Sequence, residues 1–386
     1  MGKCCILFLM NQRLIAAVIA ISIALPATPL QAAGVKVGGK CTNAGSITKS
    51  MGATFTCTKV NQKLVWKKVA SKKLSPATPT TPKAPTSFDD LIENYQGISY
   101  AAWSKSRDKI RNSAKTDITL NMVVGPSTTL TNKAPKSAID LVTRLFAGFV
   151  QPNEVYFLAF NFEDRDWAVS QMDKILPSAG SQWIMQTACR TKETCWGGGA
   201  FYNGTDRFLI VETMGIINTN TVSGTLEAHE FTHIVQQMNM KSARPAREFV
   251  YDPWPPTWYW EGQANFTQHA TIYSESFSGY TRERRYTSDG IFNNPKFNST
   301  HIQNYFVFNA PSDWQKDYER WRQYDLGAMF VEILVALKGP DASMEMWKIA
   351  STGVNFDVAF ERVYGLSFAT ALPIMAKAIA LQLGQS

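Results

Sequence analysis

One short string along the chain has residue types and spacing that could do chemistry: His229-Glu230-Phe231-Thr232-His233. Imidazoles at i and i+4 lie one turn apart on the same helix face, so both rings can reach a single Zn²⁺. The glutamate between them projects beside such an ion, where a bound water would sit and could lose its proton to a carboxylate. With four His and 15 Glu in 386 residues, chance alone supplies such a string about 0.002 times. The arrangement needs a helix, and Leu226, Ile234, Val235 and Met238 support one over residues 226–240.

Two histidines leave a metal site incomplete, and the third ligand is sought downstream in Trp258-Tyr259-Trp260-Glu261-Gly262-Gln263-Ala264-Asn265-Phe266. Pro255 and Pro256 end an irregular Trp-rich loop, and Thr257 reads as an N-cap. Glu261 then falls early on a helix, facing inward among aromatics, where a carboxylate without a partner is costly and a metal removes the cost. The alternative is an exposed first-turn glutamate favoured by the helix dipole. A second local feature is the run Gly197 to Phe201. Bare glycines let another backbone approach, so Gly198, Gly199 and Ala200 are candidates for an edge strand on which a peptide lies. Glycines serving a disulfide-bounded turn explain the same residues.

The strings HEFTHIVQQ and WYWEGQANF resemble the helix pair of the gluzincin metallopeptidases, MA-clan enzymes of aminopeptidase and related types. There the first motif gives two zinc ligands and a glutamate of the following helix, preceded by Trp and followed by Gly, gives the third. Residues Tyr324 to Val331, Lys338 to Asp341 and Asn355 to Gly365 are similar to the helical tail of that group, so the likeness spans about residues 220–370. It implies a zincin-like domain in which Zn²⁺ is held by His229, His233 and Glu261, and Glu230 is the general base for hydrolysis of a peptide or protein substrate. It also implies that the phenol of Tyr324 stabilises the oxyanion, with Tyr305, His301 and His269 as further candidates. The chain departs from the group in a longer loop before Glu261. It also carries Asn265 where some members have an aspartate, and this amide is expected to take a weaker hydrogen bond from a ligand histidine.

These residues must be positioned by elements. Helices are expected at 88–114, 135–150 and 164–175, strands at 117–124 and 154–160, a hairpin or edge strand over 200–213, and mainly helix after 222. The order reads as α+β: a mixed sheet with helices, then a helical lobe, with a cleft between the two lobes. Residues 88–386 form this domain. Residues 34–70 alternate apolar and polar positions and read as a small β-rich module, similar to short Cys-paired modules at the ends of exported bacterial proteins. Residues 71–87 (SKKLSPATPTTPKAPTS) are a linker.

Lys3 and Arg13 precede the apolar run Leu14 to Leu25, with small residues at Ala27, Ala32 and Ala33, so residues 1–33 read as a secretory signal peptide, or else an uncleaved anchor. Four cysteines follow it. They are expected to pair as Cys41 with Cys57 and Cys189 with Cys195, as befits a secreted or envelope-associated protein. The net charge of +8 is local: residues 1–87 hold 12 Lys and Arg and no acid, whereas residues 88–386 hold 27 basic and 31 acidic residues. A nucleic-acid role therefore lacks a basic body. The lysines of the front module could instead bring the chain to an anionic cell envelope, or simply keep the module soluble. Two functions fit: an exported zinc peptidase, or a non-catalytic envelope-binding or adhesion protein on a peptidase fold.

Overall fold

The computed structural model describes residues 36–50, 53–68, 82–177, 179–203, 207–215, 217–240, 255–288, 290–307 and 321–385. The expected signal peptide and residues 71–81 of the expected linker lie outside them. The described residues fall into two compact units, 36–68 and 82–385.

The small unit is an antiparallel meander of β1 (Ile47–Ser50), β2 (Ala53–Val60) and β3 (Lys63–Lys68). Asn61 and Gln62 turn between β2 and β3 at φ 45° and 63°, the left-handed pair that matches the twist of a two-residue hairpin. Phe55 and Cys57 are its buried apolar residues. So small a core cannot offset the chain entropy, and the Cys41–Cys57 disulfide supplies the missing constraint.

The large unit is α+β. Its sheet runs in the order β4 (Thr119–Val124), β5 (Glu154–Phe160), β7 (Phe208–Thr213), β6 (Gly198–Tyr202). The first three are parallel and β6 runs antiparallel to β7, so the sheet is mixed. Alternation sorts its side chains. Val155, Phe157, Phe208 and Ile210 enter the main core, while Leu158, Phe160, Leu209 and Val211 meet a second core with Ala168, Met172 and the Cys189–Cys195 disulfide.

The helices are α1 (Ile98–Asn112), α2 (Pro135–Leu145), α3 (Arg165–Ile175), α4 (Thr219–Ser223), α5 (Thr225–Met240), α6 (Thr257–Ile272), α7 (Phe277–Thr287), α8 (Ser299–Val307), α9 (Arg322–Lys338), α10 (Pro340–Ala350), α11 (Phe356–Tyr364) and α12 (Phe368–Gln382). Helices α5 and α6 lie side by side, with the sheet against α5 and α9 against α6. One apolar core runs from the sheet through both to α12. No single described helix is long and apolar enough to cross a membrane. The bent pair α11 and α12 passes by composition together, but Phe360, Ala371, Met375 and Ile379 bury it in the core.

Several boundaries differ from the sequence reading; the helix expected over 135–150, for example, ends at Leu145. The helix expected from residue 88 starts at Ile98, because the Asp90 carboxylate accepts from the backbone N–H of Thr86 and Ser87 and holds residues 86–94 in turns. Residues 82–87, expected in the linker, belong to the body: the carbonyl of Lys83 lies so close to Gly97 that a Cβ there would clash. Thr257 is the first residue of α6 and Pro256 precedes it as the cap position, so the threonine does not cap the helix.

Candidate metal centre

Helix α5 is buried almost all round. Its apolar residues Ala228, Phe231, Ile234 and Val235 enter the main core, and its polar residues, His229, Glu230, His233 and Gln236, are buried as well. Buried polar groups are stable only with partners. Helix α6 supplies them. Three successive aromatics anchor its first turn: Trp258 packs among Phe306, Phe330, Phe356 and Phe368, the Tyr259 hydroxyl donates to the Ser343 carbonyl at 2.6 Å, and Trp260 stacks on the His233 ring. One residue later Glu261 points inward, 3% exposed. The exposed first-turn alternative is thereby removed.

His229 Nε2 and His233 Nε2 lie 3.1 Å apart, and each is 3.4 Å from Glu261 Oε2. These three atoms form the described group that could hold a metal ion. A tetrahedral ion with bonds of about 2.0–2.1 Å separates its ligands by about 3.3–3.4 Å, close to all three spacings. Glu261 Oε2 is buried facing the two imidazole nitrogens, each 3.4 Å away, and a cation is the partner that a carboxylate oxygen so placed fits. Burial alone would raise the Glu261 carboxyl, but the pull of His233 and His229 holds it down at about 2, so it is ionised.

Glu230 sits beside this group. Burial pushes its carboxyl up to about 8, with Glu261 adding to the rise and His229 and the Ala200 N–H opposing it. One oxygen thus faces the backbone of β6, while Glu230 Oε2 has no protein partner. Behind it two more acids are buried between α5 and the sheet. Burial raises Glu227 to about 7 and Glu212 well above the carboxylate range. Asn132 donates to Glu227 at 2.7 Å.

The residues expected to bind substrate are placed differently. Strand β6 is an edge by pairing, yet Gly198, Gly199 and Ala200 are buried. A Cβ on Gly198 would lie 3.1 Å from Glu230 Oε1, and one on Gly199 would meet Phe201 and Trp183. The Ala200 N–H already faces Glu230. These glycines make room for the acid and for packing. Gly197, at φ 116°, makes the turn after the Cys189–Cys195 bridge.

Tyr324, on α9, is buried with its ring centroid 6.1 Å from that of His229. It is brought there by a glycine crossing: a Cβ on Gly262 would fall 2.3 Å from the backbone of Gly327, and one on Gly327 would fall 2.3 Å from the Trp258 carbonyl. Tyr305 is buried in the fields of Asp325 and Arg322. His301 packs its ring edge-on against Phe297. His269 is buried, and desolvation followed by His229 and Arg284 pushes it down to about 3, so it is neutral.

Asn265 does not meet a ligand imidazole. Its amide donates to the Tyr324 carbonyl at 3.0 Å. The ligand rings are held instead by two glutamines that sequence reasoning passed over: His229 Nδ1 is 2.9 Å from Gln268 Oε1, and His233 Nδ1 is 2.8 Å from Gln236 Oε1. A signal was available. Gln236 falls one turn after His233, and Gln268 falls two turns after Glu261 on the same helix face. No family model, curated protein or solved structure matches this chain.

Proposed function

We propose that this chain is an exported zinc-dependent peptidase with a gluzincin-type, zincin-like centre. The observation that carries the reading is the convergence of His229 Nε2, His233 Nε2 and Glu261 Oε2 at 3.1, 3.4 and 3.4 Å, with the carboxyl of Glu230 alongside. The donor set, two imidazoles and one carboxylate, is that of a catalytic zinc site with an open fourth position rather than of a hard-ion site built from oxygens. Bound there, Zn²⁺ supplies a Lewis acid that acidifies water and polarises a carbonyl.

The chain's own groups do the rest. Glu230 takes a proton from the attacking water with its unpartnered oxygen, as the water oxygen adds to the amide carbon, and then delivers that proton to the leaving amine. The N–H of Ala200 holds its other oxygen, which fixes the orientation in which the proton is received. Tyr324, beside His229, is the donor we assign to the developing oxyanion. The two disulfides fit an extracellular site of action.

The test is zinc per chain and peptide hydrolysis in the wild type and in Glu230→Gln. One zinc per chain is expected, with a loss of about 10²–10⁴-fold in kcat in the variant and zinc content unchanged. A wild type without zinc, or a variant with full activity, overturns the mechanism. The burial of His229, His233, Glu230 and Glu261 favours one other reading, an envelope-binding or adhesion protein whose metal is structural. Stoichiometric zinc, tight wall binding and no turnover of any peptide substrate would carry it.

A further inference from the structure

The two glutamines do more than touch the ligand rings, because the protons of the network can be placed by elimination. An amide oxygen only accepts and an amide NH₂ only donates. With an ion bound, His229 and His233 therefore carry their protons on Nδ1, facing Gln268 Oε1 and Gln236 Oε1, and leave both Nε2 lone pairs to the ion.

From His233 the chain runs outward without a break. Gln236 Nε2 donates to the Trp260 carbonyl and to Gln263 Oε1, both at 3.0 Å. Gln263 Nε2 donates to Ser343 Oγ at 2.9 Å, and Ser343 Oγ donates to the Pro340 carbonyl at 2.7 Å. Each of these donors points away from the ligand ring, and no titratable group takes part.

From His229 the chain runs to Gln268, whose Nε2 lies 3.3 Å from His269 Nε2. That amide nitrogen donates, and with the Thr287 hydroxyl, 3.2 Å from the same ring nitrogen, donating as well, His269 Nε2 accepts and the His269 proton is on Nδ1. His269 Nδ1 is buried with no partner in the protein, and so is Asn265 Oδ1. Both residues line one small pocket of about 10 Å³ between α6, α7 and α9, a size that admits about one water. Its charged lining residues are satisfied: Glu332 by the Tyr280 hydroxyl and Arg284, and Asp325 by Arg322. What is left over is one donor and one acceptor, the pair that a single water bridges.

We infer that Gln236 and Gln268 are positioning residues acting as neutral amide relays, and that one buried water between His269 Nδ1 and Asn265 Oδ1 closes the second relay. The inference rests on His229 and His233 being metal ligands. Its consequence is a centre whose imidazoles are oriented but not charged from behind, in contrast to one backed by carboxylates, so the ion keeps more of its acidity at some cost in affinity.

The experiment is ¹⁵N NMR of the imidazoles in the full chain, with and without zinc, together with zinc affinity by chelator competition; four histidines keep the spectrum simple. His229, His233 and His269 are expected as Nδ1–H tautomers in the zinc-loaded wild type. Gln268→Leu should weaken zinc by about 10–100-fold. Gln268→Glu should tighten zinc and, because a carboxylate cannot donate, turn His269 to the Nε2–H form while His229 is unchanged. A folded chain that takes up no zinc overturns the proposed function and the premise here together. A chain that binds zinc with His269 protonated at Nε2, or with His269 indifferent to Gln268→Glu, overturns the relay alone.

Discussion

In the proposed mechanism Glu230 gains and loses a proton near neutral pH, and its surroundings give it the means. Burial raises it to about 8 in the metal-free chain, and a cation bound beside it would bring it down toward the working range. The shift has a thermodynamic signature. Between the ordinary value of 4.5 and about 8, the unfolded chain releases this proton and the folded chain keeps it. The unfolded state then binds fewer protons, so this group's contribution to stability is whole below about pH 4.5 and is lost as pH rises through about 8. Glu230→Gln has no such proton. With zinc removed by chelation, the melting temperature of the variant should gain on that of the wild type steadily from pH 5 to pH 8. Contributions from Glu227 and His269 are common to both proteins and cancel in the difference. A difference that stays flat across that range would show that Glu230 is ionised in the folded chain. Adding zinc should flatten the difference, because the ion favours the carboxylate.

Helices α5 and α6 hold these groups, and what fixes their spacing is the crossing of α6 with α9. At Gly262 and Gly327 the two backbones touch, and an added methyl group would lie 2.3 Å from main-chain atoms. Backbone cannot turn aside as a flexible side chain can. Gly262→Ala is therefore expected to cost about 3 kcal/mol, the upper end for overpacking, and to reduce zinc affinity because Glu261 is the preceding residue. Urea unfolding and zinc competition check both effects, and an alanine variant with the wild-type midpoint would show that the helices can separate without loss. How far such features could be read in the sequence follows from how local they are. The spacing of His229 and His233 is a property of one turn of helix, and the inward turn of Glu261 followed from the aromatics before it. The glycine crossing joins positions 65 residues apart, and nothing in either helix alone announces its partner. The same holds for Gln236 and Gln268, which as residue types are at home on any helix surface. Asn265 shows the opposite error: its position in the motif suggested a ligand partner, but the closeness of α9 offers it the Tyr324 carbonyl instead. Strand β6 was legible as a strand next to glycines, whereas its burial depends on Trp183 and α5, which the local pattern does not contain.

For the whole molecule, the excess of positive charge and the candidate metal centre lie in different parts of the chain. The body has 27 basic and 31 acidic residues after residue 87, and the stretch before it has 12 basic and none acidic. In the small unit Lys36, Lys40, Lys59, Lys63, Lys67 and Lys68 are all exposed, and no carboxylate of that unit competes for them. A surface of one sign on a sheet stapled by Cys41–Cys57 is suited to holding an anionic polymer or membrane surface without a shaped pocket. Attraction of that kind is screened by salt, since the Debye length falls from about 10 Å at 0.1 M to about 3 Å at 1 M. The wild type is therefore expected to sediment with anionic envelope fragments at 0.1 M salt and to be released at 1 M. Replacing those six lysines by glutamine should abolish the sedimentation at 0.1 M salt and leave hydrolysis of a soluble peptide unchanged, because the groups of the proposed mechanism all lie in the other unit. Retention of the substituted chain at 0.1 M salt would mean that the lysines only keep the module soluble and that another surface makes the contact. A parallel loss of peptide hydrolysis would mean instead that the small unit contributes to the reaction itself.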